Sequence, residues 1–235
     1  MLPCLSWDSL TGFDRGWEGQ AGAATSQIPA YSFCFPFSPH MTSSARLPVP
    51  GPEVPRAGGP LARFVGRLTL RLLGFRVEGD LPNQAKFVVI AAPHTSNWDF
   101  PIAMGAKLAL ALDATWLGKD SLFRFPFGAV LRWLGGIPVN RSASHDVVGQ
   151  MKAEFAKRPR MVLALAPEGT RKRVERWRTG FYHIAHAAGV PIVPVALDWE
   201  HRAIRIMPPF SPTGDADRDV EALRALFDGV SGRRR

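Results

Sequence analysis

With 235 residues, 46% hydrophobic and 21% charged, the chain has the composition of a soluble or peripheral globular protein with enough length for one sizeable core. Its formal net charge of +9 points to an anionic partner, whether nucleic acid, an anionic membrane surface or phosphorylated substrates, or else to a generally basic soluble surface. The two cysteines, Cys4 and Cys34, fall in the N-terminal stretch, so the presumed domain has neither a disulfide framework nor a zinc cluster, and no uncharged apolar run reaches the ~18 residues of a transmembrane helix.

Residues 1–59 are rich in Gly, Pro and Ser, with no apolar period, and are expected to form a disordered or loosely attached extension. Within them Met41 offers a second start, MTSSARLPVPG. The N-terminus lacks the basic and apolar regions of a secretory signal, which makes the cytoplasmic side the default. The domain is expected at 60–230, with 231–235 as a frayed basic tail.

From Pro60, Leu61, Phe64, Val65, Leu68 and Leu72 recur at helical spacing, while Arg63, Arg67 and Arg71 occupy another face. This predicts a basic amphipathic helix ending near Gly74, open to two readings. It lies on a membrane surface, or it packs on the domain and solvates its arginines.

A short strand at 75–78 and a turn precede an apolar strand at 86–92, followed by a helix at 100–112. A strand at 115–119 delivers Lys119, a helix at 120–134 is broken at Pro126, and a strand at 137–141 delivers Arg141. A helix at 145–158, a strand at 161–166 and a basic loop at 168–178 follow. The chain closes with a helix from Thr179 to Gly189, strands at 190–197 and 202–207, and a helix at 216–228. This alternation predicts an α/β fold: a single layered domain with a mostly parallel, largely buried sheet flanked by helices and preceded by the basic amphipathic helix. In such sheets the working groups lie beyond the strand ends, where His94, Lys119, Arg141, Glu168 and Arg171 all fall.

The strand FVVIAAP runs directly into His94-Thr95-Ser96-Asn97-Trp98-Asp99. If the loop folds back, Asp99 meets the His94 ring, fixes its tautomer and makes it a general base. The alternative is that His94 only satisfies loop hydrogen bonds while Asp99 caps the helix that holds Pro101 in its first turn. Glu168-Gly169-Thr170-Arg171 follows the strand MVLALAP. Gly169 permits a tight turn, Thr170 supplies a hydroxyl and Arg171 a planar fork for phosphate, while Glu168 accepts from a substrate hydroxyl or holds Arg171. An ordinary turn with a surface ion pair would look the same.

The order HTSNWD, then Gly136 to Arg141, then EGTR, then VPIVPV resembles the glycerolipid acyltransferases of the 1-acylglycerol-3-phosphate acyltransferase (lysophosphatidate acyltransferase) type, over roughly residues 60–210. The resemblance implies transfer of a fatty acyl group from an acyl thioester, acyl-CoA or acyl carrier protein, to the free hydroxyl of 1-acyl-glycerol-3-phosphate, giving phosphatidate. In this reading His94 takes the hydroxyl proton and Asp99 orients it. Arg141 and Arg171 hold the acceptor phosphate, Glu168, Gly169 and Thr170 complete the acceptor block, and Lys119 stands near the phosphate. Pro191 and Pro194 match the block that shapes the acyl-chain side. No metal or resident cofactor is implied, the thioester being a co-substrate, and the expected location is the cytoplasmic face of the membrane, peripherally bound.

Pro138 and Val139 stand where many relatives carry two bulky apolar residues, and the loop after Arg171 is unusually basic, with Trp98 and Trp177 expected on its rim. Other lysophospholipids or a lyso-ornithine-type lipid are therefore alternative acceptors. A non-catalytic module for anionic lipid is a further reading; nucleic acid is disfavoured by the absence of any recognised binding motif. A metal-dependent hydrolase would need His94, Asp99 and the i, i+3 pair His183 and His186, without a third ligand at diagnostic spacing.

Overall fold

A strand whose neighbouring side chains are all apolar must be covered on both faces, and the run from Phe87 to Ile90 is. Phe87 and Val89 enter one core with Leu70, Ile102 and Ala106; Val88 and Ile90 enter another with Phe155, Phe181, Tyr182 and Leu223. The computed structural model describes residues 47–139, 147–170, 174 and 176–233. Of two units, Met1–Met41 and Thr42–Arg235, only the second contains described residues; the second start at Met41 and both cysteines lie outside them.

Strands β1 (Arg76–Glu78), β2 (Lys86–Ala92), β3 (Ala114–Lys119), β4 (Gly136–Val139), β5 (Met161–Leu165), β6 (Ile192–Asp198) and β7 (Ala203–Ile206) alternate with helices α1 (Pro60–Leu73), α2 (Asp99–Ala109), α3 (Gly128–Trp133), α4 (Val147–Lys157), α5 (Gly180–Ala188) and α6 (Ala216–Ala225). The sheet order is β1-β7-β6-β2-β5-β3-β4. From β6 through β4 every neighbouring pair is parallel; β7 runs antiparallel to β6 and carries β1 parallel to itself. The expected layered α/β domain with a mostly parallel sheet is thus observed. Around Pro126 the expected break is wide. A 3₁₀ turn at Asp120–Phe123 is separated from α3, because proline cannot donate an amide hydrogen to a continuing helix.

Packing differs from expectation at both ends. The folded unit was expected from residue 60, yet Val54 is fully buried in the α1/α2-side core and the Glu53 amide donates to Asn83 Oδ1 at 2.9 Å. At the other end Ser231 to Arg233 are not frayed: the Trp199 amide donates to the Ser231 carbonyl at 2.9 Å, and the Arg233 guanidinium lies over the Trp98 and Trp199 rings.

Helix α1 ends at Gly74, whose left-handed φ of 71° lets its amide close the last turn. It meets α2 through Gly66, where an added Cβ would lie 2.3 Å from the Ala109 nitrogen and 2.7 Å from the Gly105 oxygen. Only Gly66 and Leu70 are buried along the helix. Leu61, Phe64, Val65, Leu68 and Leu72 are exposed, Leu61 and Leu72 to 75% and 76%, beside the exposed Arg63, Arg67 and Arg71. The face that periodicity marks as apolar is therefore largely not the face that packs. A second exposed apolar group, Leu122, Phe125, Phe127, Val130 and Trp133, follows β3. Among the described residues no helix is long and apolar enough to cross a membrane.

Two buried carboxylates, Asp198 at the end of β6 and Asp219 on α6, are each held by several donors. Asp198 accepts from Arg205 Nη1 at 2.9 Å and lies 2.8 Å from His201 Nδ1. Asp219 accepts from Tyr182 Oη at 2.8 Å and from the Thr213 amide at 2.6 Å. Burial opposes their ionisation, but these donors outweigh it and hold both carboxyls below the usual aspartate range. A depressed folded-state pKa stabilises the protein above the unfolded value of about 4, and that stability is lost as pH falls through the folded value. Urea midpoints are therefore expected to drop from about pH 4 downward. Tyr182→Phe, which removes one donor from Asp219, is expected to cost ~1.5–3 kcal/mol at neutral pH.

Candidate active site

Beyond the C-terminal end of β2 the chain turns back on itself, and the turn is organised by Asp99. The carboxylate is 1% exposed, and its Oδ2 accepts the Thr95 amide at 2.8 Å and the Ser96 amide at 2.7 Å. The same oxygen stands 3.4 Å from His94 Nδ1, and Oδ1 accepts the Trp199 indole N–H at 2.7 Å. Asp99 was offered as a helix cap; instead it is the first residue of α2, and its side chain reaches back into the loop. Burial raises the cost of its charge, but the facing His94 ring and the Ser96 and Trp199 hydrogen bonds outweigh this and keep the carboxyl below its ordinary range. It is an anion at neutral pH, aimed at an imidazole nitrogen. With Nδ1 facing Asp99 at 3.4 Å, Nε2 is the ring nitrogen left to take a proton.

Glu168, just past β5, closes the loop from the neighbouring strand: its Oε2 accepts the His94 backbone amide at 2.8 Å. Sequence reasoning gave Glu168 a substrate hydroxyl or Arg171 as partner, whereas the described partner is this amide. Burial pushes the Glu168 carboxyl above its usual value against the pull of that bond, and the nearby Asp99 charge adds to the rise. Gly169 turns with a φ of 64°, a left-handed conformation that favours glycine, and the Arg178 side chain packs against it. Thr170 follows, half-buried.

The parallel register thus brings together His94, Asp99, Glu168 and, next to Glu168, Gly169 and Thr170. Lys119 is exposed at the end of β3, two strands from β2 in the sheet order and so roughly 10 Å across. Arg141 and Arg171 lie outside the described residues. Ser96 is buried and its Oγ accepts the Trp98 amide at 3.2 Å, a loop-shaping role. Trp177, expected on the rim, is partly buried and packs on Phe181 and Phe227, at 6.3 and 5.2 Å between ring centroids. Pro194 lies inside β6 opposite Ile90, with Pro191 just before that strand. His183 and His186 pack on the Tyr182 ring, and among the described residues no three His, Cys, Asp or Glu side chains form a metal-holding group.

Sequence reasoning missed Trp199. It follows β6 directly, so the rule that picked out the other strand-end residues applies to it as well.

A buried carboxylate, a partly exposed imidazole and the Glu168 carboxyl thus stand at adjacent strand ends of an α/β sheet, an arrangement able to move a proton. The acyltransferase family model matches residues 74–198, and the chain belongs to that family. It is 32% identical over 165 residues to the 1-acyl-sn-glycerol-3-phosphate acyltransferase of Escherichia coli, covering 66% of this chain and 65% of that protein. It is 34% identical over 156 residues to the protein of the same name from Salmonella typhimurium, covering 62% of each. The chain thus spans somewhat under two thirds of the relatives' own length. The crystal structure of the 1-acyl-sn-glycerophosphate (LPA) acyltransferase from Thermotoga maritima shares the fold, with a TM-score of 0.53 at 20% identity over 73% of this chain and 80% of that one.

Proposed function

We propose that the protein transfers a fatty acyl group from an acyl thioester to the free hydroxyl of 1-acyl-glycerol-3-phosphate, giving phosphatidate. The observation that carries this reading is the His94 ring, 3.4 Å from a buried, multiply anchored carboxylate at a strand end, in a chain of the acyltransferase family. The names of the relatives support the acceptor.

His94 Nε2 takes the hydroxyl proton as the oxygen attacks the thioester carbonyl. Asp99 stabilises the imidazolium that results. The tetrahedral intermediate collapses with cleavage of the carbon–sulfur bond, and His94 returns the proton to the departing thiolate. The thioester is already activated, so the scheme needs no covalent enzyme intermediate and no metal. Glu168 holds the His94 backbone, the Gly169 turn leads into Thr170 and Arg171, and Arg141 and Arg171 hold the acceptor phosphate, with Lys119 adding positive charge at its edge.

The enzyme works peripherally on the cytoplasmic face of an anionic membrane, with acyl-CoA or acyl carrier protein as donor. The exposed apolar stripe of α1 flanked by Arg63, Arg67 and Arg71 supports this location. Replacing Leu61, Phe64 and Leu72 together by serine is expected to weaken co-sedimentation with phosphatidylglycerol vesicles about tenfold or more. The fold should be unaffected, because none of the three is buried.

The deciding experiment incubates the purified protein with oleoyl-CoA or oleoyl-acyl carrier protein and a panel of lysolipids, and identifies products by mass spectrometry. Phosphatidate as the main product supports the proposal. Acylation of another lysophospholipid or of a lyso-ornithine-type lipid instead would replace the acceptor, and vesicle binding without any product would leave a non-catalytic lipid-binding module.

A further inference from the structure

The Asp99 carboxylate has a donor that no backbone amide replaces, the indole of Trp199 at 2.7 Å on Oδ1. Trp199 comes from the end of β6, on the opposite side of β2 from β5 and Glu168. Its ring is fixed from several directions. Phe75 meets it edge-on at 5.0 Å, and Arg202 and Arg233 lie over it at 5.5 and 5.1 Å. Its amide donates to the Ser231 carbonyl, Ser231 Oγ donates to Glu200 Oε2 at 2.7 Å, and Arg233 also covers Trp98 at 5.0 Å. Gly232 passes so close to the loop that an added Cβ would lie 2.7 Å from Thr95 Oγ1. The segment 231–233 is therefore a strap laid across the His94–Asp99 loop and clamped on the ring that holds Asp99.

We propose that Trp199 is a positioning residue for acyl transfer, orienting Asp99 toward His94 through its indole N–H, and that Ser231–Arg233 holds Trp199 in place. This rests on His94 and Asp99 acting as proposed above. With Oδ1 bound to Trp199, the carboxylate cannot rotate away from His94, and the donated hydrogen bond removes part of its negative charge. The charged groups facing the unit are Glu168 from the β5 side, Arg202 and Glu200 from the turn between β6 and β7, and Arg233 from the strap.

Trp199→Phe keeps the aromatic packing and deletes only the donor. With oleoyl-CoA and 1-acyl-glycerol-3-phosphate, kcat is expected to fall about tenfold or more with KM little changed. The acid limb of kcat/KM should also move to higher pH, because a less neutralised Asp99 favours the protonated, inactive imidazole. Arg233→Ala should shift the limb in the same direction by less, and Arg233→Lys should restore part of it. An unmoved acid limb in Trp199→Phe, with kcat kept or uniformly lowered, would overturn the proposal by making Trp199 a packing residue only. Should Trp199→Phe fail to fold by circular dichroism, the limb shift in Arg233→Ala decides in the same way. Undiminished turnover in His94→Ala would instead bring down the underlying reading, whatever Trp199→Phe does.

Discussion

His94→Ala is expected to lower kcat for thioester-dependent acylation by about 10²–10⁴-fold, the range a general base contributes. The loss should fall on kcat and not on KM, because in the proposed reaction the ring acts as the hydroxyl attacks and contributes little to holding either substrate beforehand. Misfolding does not account for such a result, on physical grounds. The side chain is 28% exposed, and the group that ties this residue to the scaffold is its backbone amide on Glu168, which alanine retains. The Thr95 and Ser96 amides and the Trp199 indole likewise stay on Asp99. Circular dichroism and urea midpoints should match the parent within error. Turnover within a fewfold of the parent would remove His94 from the reaction and leave the site without a base.

The second large effect is architectural. Gly66→Val is expected to destabilise the domain by ~3 kcal/mol or more, at the upper end of overpacking costs. The atoms its Cβ would strike, the Ala109 nitrogen and the Gly105 oxygen, belong to the α2 backbone and cannot swing aside as a side chain would. Helix α1 must lift away from α2, taking Leu70 out of the core. Because α2 begins at Asp99, strain at this crossing is introduced into the same helix that carries the carboxylate. Gly59→Ala is the control: nothing lies within 4 Å of its added Cβ, and little change is expected. Equal urea midpoints for the two variants would show that the α1–α2 contact is looser than the glycine crossing requires. Faster tryptic cleavage at Arg63, Arg67 and Arg71 in Gly66→Val would report the detachment directly.

Much of this protein follows from local chemistry. The uninterrupted apolar residues of β2 and β5 demand burial on both faces, and their alternation with helices demands a parallel sheet, so the strand ends that carry His94, Glu168 and Lys119 could be found from periodicity. Gly169 and Gly74 were legible because their backbone conformations suit few other residues. Pairing at a distance was not legible. The partners that define the site join residues 74 and 100 positions apart, Glu168 with the His94 amide and Trp199 with Asp99, and nothing in either local sequence encodes the other. The meeting of Asp99 with His94 was legible by contrast, because the two lie five residues apart on one loop. Helix α1 shows the limit most clearly: the hydrophobic pattern states which face is apolar, but not what covers it. Close packing on α2 selected the glycine edge, where backbones can touch, and left the leucine and phenylalanine stripe facing outward. Sequence alone determined the sheet, its burial and the ends at which chemistry collects. The tertiary structure decided which groups meet there, because hydrogen-bond geometry and helix contact are properties of segments that only the fold brings together.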